Sequence, residues 1–156
     1  MDGNRRQALK HAGASGALAA AIAAGLLRPG ELLAAGRNKD AFGSKSAVDA
    51  LKSLGASSAS DSKDIVIDAP QIAENGAVVP VEITSNVPNT RSIAVLIEKN
   101  PFPLAAKFDF LEGAVPFVKV NVKMGESSNV RVVAEAGGKH YTAIKEVKVT
   151  IGGCGG

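Results

Sequence analysis

From residue 63 onward the chain switches between apolar and polar at every second position, in runs of a length suited to β-strands. Phe117–Lys123 shows this most cleanly, with Val118, Val120 and Val122 on one face and Lys119, Asn121 and Lys123 on the other. Ala77–Ser85 places Val79, Val81 and Ile83 on one face, and Pro80 there predicts an edge position or a bulge. Arg91–Glu98 is apolar on both faces (Ile93, Val95, Ile97; Ala94, Leu96), the pattern of a strand covered on both sides. Ile65–Asp68 and Lys107–Leu111 are further strand candidates. Asn129–Ala136 and Lys139–Ile151 flank Gly137-Gly138, a hairpin signal. In the last strand Tyr141, Ala143, Val147, Val149 and Ile151 share a face that Lys145 interrupts, which predicts a bulge near Lys145. About seven short strands separated by turns predict an all-β fold, an immunoglobulin-like antiparallel β-sandwich. With one cysteine in the chain, the inter-sheet disulfide of many such domains is excluded. Aromatic residues are only 4%, so the core must be built from Val, Ile, Leu and Ala.

The segments before the strands read differently. Asp40–Leu54 predicts a short helix, with Phe42, Ala47, Val48, Leu51 and Leu54 near helical spacing and Gly55 as its stop. Residues 56–62 are small and polar, as in a linker. The chain opens with Asn4-Arg5-Arg6-Gln7-Ala8-Leu9-Lys10, followed by an uncharged stretch from Ala12 to Leu27 and small residues at Ala34-Ala35-Gly36. That is the layout of an export signal of twin-arginine type. The 16 uncharged residues fall short of the ~20 that a spanning helix needs, and Arg28-Pro29-Gly30 ends them. The expected organisation is a signal peptide over 1–36, cleaved within about residues 33–37, a short helix and linker over 37–62, a sandwich over 63–151, and a flexible arm over 152–156. A twin-arginine signal moves folded proteins, which suggests folding or assembly with a partner before export to the periplasm.

Charge and motif content narrow the function by elimination. Residues 37–156 hold 14 Lys/Arg against 13 Asp/Glu, with no basic run of the kind that binds nucleic acid. That part contains one histidine, His140, and one cysteine, Cys154. There is no HExxH, CxxC, GxSxG or phosphate-binding loop. His140 reads as a surface or half-buried strand residue. No autonomous catalytic site, metal site or cofactor is expected. The loop Asn100-Pro101-Phe102-Pro103-Leu104 is stiff and partly apolar, which fits either a contact surface or a proline-shaped connection.

What remains is Cys154, between Gly152-Gly153 and Gly155-Gly156. Flanking residues without side chains leave the thiol unshielded. From Ile151 to Cys154 the chain could extend roughly 10 Å, at ~3.3–3.6 Å per residue. A thiol on such a tether can enter another enzyme's active site. Lys145 and Lys148 lie a little upstream and would favour a thiolate or an anionic adduct modestly, because exposed charges are screened. Two other readings compete. Cys154 could link chains through a disulfide in a secreted structural or interaction module. Alternatively the terminal Gly-Gly carboxylate could be the working group, as in ubiquitin-like sulfur carriers.

Lys145-Glu146-Val147-Lys148-Val149-Thr150-Ile151 followed by Gly-Gly-Cys154-Gly-Gly closely resembles the corresponding segment of the SoxY family, the sulfur-carrier subunits of the periplasmic thiosulfate-oxidising (Sox) system. Three internal stretches also resemble that family: Ile72–Val81, Glu98-Lys99-Asn100-Pro101, and Met124–Val130. The resemblance implies a carrier and not a catalyst. It implies that Cys154 is the point of covalent substrate attachment, with Gly152, Gly153, Gly155 and Gly156 as the carrier arm. It implies a heterodimer with a SoxZ-like β-sandwich subunit. It also implies three transient partners: a c-type haem conjugating enzyme, a manganese-dependent hydrolase and a sulfane dehydrogenase.

Overall fold

The computed structural model describes residues 38–150. Its strands in chain order are β1 (Ser60–Asp61), β2 (Ile65–Asp68), β3 (Ile72–Ala73), β4 (Val79–Ser85), β5 (Thr90–Ile97), β6 (Leu104–Asp109), β7 (Phe117–Val122), β8 (Ser128–Ala136) and β9 (Lys139–Val149). Two helices precede them, α1 (Lys39–Gly43) and α2 (Ala47–Ser53). The larger sheet has the order β1-β9-β8-β5-β6, with β3 also on β9, and the smaller one the order β2-β4-β7. Packed face to face, they form the immunoglobulin-like sandwich that the alternation predicts.

The alternating residues meet between the sheets. Val79, Val81 and Ile83 of β4 and Val118 and Val122 of β7 pack against Ile93, Val95 and Ile97 of β5 and Val130, Val132 and Ala134 of β8. β5 is covered on its other face too, where Ala94 and Leu96 join Leu104 and Val133 beneath Ala41 and Ala50 of the helices. The two helices therefore exist to cover the outer face of the larger sheet. Both are too short to hold without that packing. The single helix expected over Asp40–Leu54 is broken instead. Ser44 takes an extended conformation, and the Ser46 hydroxyl accepts from the Asp49 N–H at 3.1 Å, capping a second start. Its end is the expected one: Gly55 N–H donates to Lys52 O and Ala56 N–H to Leu51 O, closing the last turn.

Other differences have equally local causes. Within 56–62, read as linker, Ala56 is buried and β1 pairs in parallel with Tyr141-Thr142. β6 begins at Leu104 and ends at Asp109, because buried Leu104 pairs with Leu96, whereas Leu111 is 86% exposed. Pro80 belongs to the middle strand of its sheet but lies beyond the last β2 pair, Asp68↔Glu82, so no partner strand needs its missing N–H on that side. The bulge expected near Lys145 is absent, and β8 and β9 stay in register from Ser128↔Val147 to Ala136↔Lys139. Lys145 keeps its place on the inward face and spends its charge at the sheet edge, donating to Ile67 O of β2 at 3.3 Å. The irregularities fall in β5, between Val95 and Leu96 toward β6 and between Thr90 and Ser92 toward β8.

The β8–β9 hairpin turns on Gly137 and Gly138, with φ of 57° and 74°. Both values lie in the left-handed region, where a Cβ is penalised. Gly138→Ala is expected to cost about 1 kcal/mol through that penalty, read as a lower denaturation midpoint with an unchanged slope. Among the described residues no helix is long and apolar enough to cross a membrane.

Candidate functional site

The strand directions place the end of β9, the start of β8, the end of β5 and the start of β4 at one end of the sandwich. β9 is the strand that leads to Cys154, so this end is the root of the predicted arm. At the opposite end the loops 85–91 and 110–116 enclose a cleft of about 500 Å³, away from that root.

The last residues of β9 are gripped on both edges by different means. On one edge β3 runs parallel, with Ile72 opposite Lys148 and Ala73 opposite Val149. Lys148 N–H donates to Gln71 O at 2.9 Å and Thr150 N–H to Ala73 O at 3.1 Å. On the other edge the β8 ladder ends at Ser128↔Val147. Beyond it a side chain substitutes for the strand: Val149 N–H donates to Ser127 Oγ at 2.9 Å, and Ser127 Oγ lies 3.4 Å from Val149 O, to which it donates. Beside them Gly76 closes the corner. Its carbonyl accepts from Met124 N–H at 2.7 Å. A Cβ on Gly76 would press into Met124 O and stand 2.9 Å from Val149 Cγ1.

The three internal stretches singled out in the sequence converge here. Asn100 Nδ2 donates to Lys123 O at 2.7 Å and Asn100 Oδ1 accepts from Gly125 N–H at 3.3 Å. Lys99 N–H donates to Ser128 Oγ at 3.0 Å. Half-buried Glu98 accepts from Arg131 Nε at 2.7 Å and from Asn129 Nδ2 at 2.9 Å. In the loop before β6, Pro103 is buried and its carbonyl takes Ile97 N–H, as in a proline-shaped connection, while Phe102 is exposed. Ile72 and Val78 are exposed as well. Of the two upstream lysines, Lys148 is exposed, whereas Lys145 is turned to Ile67 O.

The predicted site residues, Gly152, Gly153, Cys154, Gly155 and Gly156, lie outside the described residues. His140 is half-buried in β9, as expected. Among the described residues, no group of three or more His, Cys, Asp or Glu could hold a metal ion. Lys119, in the smaller sheet, has its pKa raised by a hydrogen bond from the ammonium to Glu82 and by that carboxylate's charge. Sequence reasoning missed Ser127, Gly76 and Asn100 as supports of the root. Their only signal is that they fall inside the stretches 72–81, 98–101 and 124–130.

The family model "Sulfur oxidation protein SoxY" matches residues 50–154, a span that includes Cys154. The chain belongs to the SoxY family. A solved SoxY, the sulfur carrier protein from Chlorobium limicola f thiosulfatophilum, is 39% identical, covers 72% of this chain and 97% of its own, and superposes with a TM-score of 0.63. A variant of a superoxide reductase (neelaredoxin) from Ignicoccus hospitalis is 20% identical over 72% of this chain and 91% of its own, with a TM-score of 0.50. That likeness is one of fold alone. No curated protein matches the chain. SoxY membership supports a sulfur-carrier role within a sulfur-oxidising system. The predicted arm would follow the end of β9 that β3 and the Ser127 hydroxyl hold.

Proposed function

We propose that this chain is a periplasmic sulfur carrier that holds thiosulfate-oxidation intermediates on Cys154 and presents them to partner enzymes. The observation that carries the reading is the SoxY match running through Cys154, five residues beyond a strand whose end is held by β3 and Ser127. Conjugation joins the Cys154 sulfur to the outer sulfur of thiosulfate. One S–S bond forms, the thiol proton leaves, and two electrons pass to the c-type haem conjugating enzyme. Water then cleaves the bond between sulfane and sulfonate sulfur at the manganese-dependent hydrolase, releasing sulfate and leaving a persulfide on Cys154. A sulfane dehydrogenase, where the system has one, takes six electrons from that persulfide sulfur as three waters supply its oxygens, making a sulfonate, and a further hydrolysis releases it as sulfate and frees the thiol. The chain itself supplies no catalytic group and no cofactor. A SoxZ-like β-sandwich subunit pairs with it, and residues 1–36 direct export.

The test is intact-mass analysis of the protein taken from cells that are oxidising thiosulfate. Adducts of sulfane-sulfur and sulfonate composition are expected on the peptide holding Cys154, and reduction should remove them. A thiol that stays unmodified throughout turnover would sink the proposal.

A further inference from the structure

A strand that carries a delivery arm must end at a defined residue, or the arm's length and direction vary. In β9 the residues alternate in the edge to which their N–H points. Lys148 and Thr150 donate to the β3 side, at Gln71 O and Ala73 O. Val147 and Val149 face the β8 side. Val147 still has Ser128 opposite it, but Val149 has no β8 partner and depends on the Ser127 hydroxyl. That one hydroxyl meets both the N–H and the C=O of Val149, at 2.9 and 3.4 Å, as a paired strand residue would. A parallel strand of two residues is weak support alone. Without the hydroxyl, Val149 and Thr150 would be held from the β3 side only.

We propose that Ser127 is a positioning residue for the carrier arm: its hydroxyl extends the β8 edge by one place and fixes Thr150 as the point from which the arm departs. The proposal rests on the sulfur-carrier reading for its functional half, and on geometry alone for its structural half. With Ser127→Ala, the end of β9 from Lys148 to Thr150 is held from the β3 side only and opens more often, so the arm departs from a variable point. A less directed tether lowers the chance that Cys154 enters an enclosed active site in the productive orientation. A small reagent that meets the thiol in solvent is indifferent to that change.

Two measurements on the full-length carrier test it. Native-state hydrogen exchange should show the Val149 amide protected in the wild type, and protection about tenfold lower in Ser127→Ala, while Val147 is unchanged. Sulfate release from the thiosulfate-loaded carrier by the manganese-dependent hydrolase should lose about fivefold to tenfold in kcat/KM in Ser127→Ala. The loss should fall on KM, with kcat within about twofold, and alkylation of unloaded Cys154 by iodoacetamide should be unaffected. Ser127→Thr, which keeps the hydroxyl, should restore both readouts. A Val149 amide that exchanges in the wild type like an unstructured one overturns the proposal, with no variant needed. So does Ser127→Ala with wild-type kcat/KM, or Ser127→Thr with the defect of Ser127→Ala. A wild-type carrier that takes up no sulfur overturns the functional half together with the carrier reading. Failure of the Ser127 role alone is distinguishable from it, because both chains then load and discharge alike.

Discussion

Cys154→Ser is expected to reduce thiosulfate-dependent sulfate formation by a reconstituted Sox system to background, while the fold is untouched. The reacting species is a thiolate, and a serine hydroxyl at neutral pH offers neither its ionisation nor its capacity to form and release S–S bonds. No other cysteine exists to take over. The described residues supply two apolar cores, one between the sheets and one beneath the helices, and Cys154→Ser changes one atom of a small side chain between glycines. The midpoint of unfolding should therefore stay within about 1 °C of wild type, as for surface changes near zero in free energy. The same experiment separates the rival readings. A Gly-Gly carboxylate carrier would keep working in Cys154→Ser, since Gly155-Gly156 are retained. A disulfide-linked structural module would be isolated from oxidising conditions chiefly as a covalent dimer, and its function would fail on reduction. The carrier reading instead expects disulfide-linked dimers of this chain only as a side product, and full activity from the reduced chain with its SoxZ-like partner. Sulfate formation by Cys154→Ser at more than a small fraction of the wild-type rate would refute it.

How much of this was legible beforehand depends on whether a feature leaves a mark in consecutive residues. β2 does, and its predicted bounds, Ile65–Asp68, are those observed. The double covering of β5 was also legible, because apolar residues on both faces need two cores, and the helices supply the second. The break between α1 and α2 was not, since the apolar spacing runs straight through Ser44-Lys45-Ser46 and only the Ser46 hydroxyl decides it. β1 and β3 have two residues each, too few for any period, and exist only because β9 lies beside them after some eighty residues of chain. Lys145 misled for a related reason. A charged residue on an apolar face suggests a register slip, yet its long side chain reaches a carbonyl across the sheet edge. At the site, elimination left Cys154 standing. The brace behind it stayed hidden, since Ser127 and Gly76 read as ordinary turn residues until the fold sets them against Val149.

Gly76→Ala is expected to be the most damaging small change at the arm root. Ordinary glycine-to-alanine changes in loops are neutral or mildly stabilising, through the unfolded chain's entropy. Here the added carbon has nowhere to go. It would press on the Met124 carbonyl, which is backbone and cannot rotate away, and on Val149 Cγ1 at 2.9 Å. Relief requires the 72–78 loop to move off, which lengthens the bond from Met124 N–H to Gly76 O. Overpacking costs about 1–3 kcal/mol, and a lost backbone hydrogen bond adds about 1 kcal/mol. Together they amount to about 2–4 kcal/mol, or roughly 10 °C in melting temperature for a domain of this size. Calorimetry on Gly76→Ala reads this directly, and a shift under about 2 °C would show that the corner is loose. A second substitution tells the two contacts apart. Val149→Ala removes the methyl but leaves the carbonyl, so in a double-mutant cycle it should recover part of the loss and never all of it. Full recovery would make Val149 the whole cause and leave the Met124 carbonyl free to yield. Partial recovery would mean that the loop carrying β3 is fixed to the loop before β8 by backbone alone. In that case the two grips on the end of β9, one from Ala73 and one from Ser127, belong to one rigid frame.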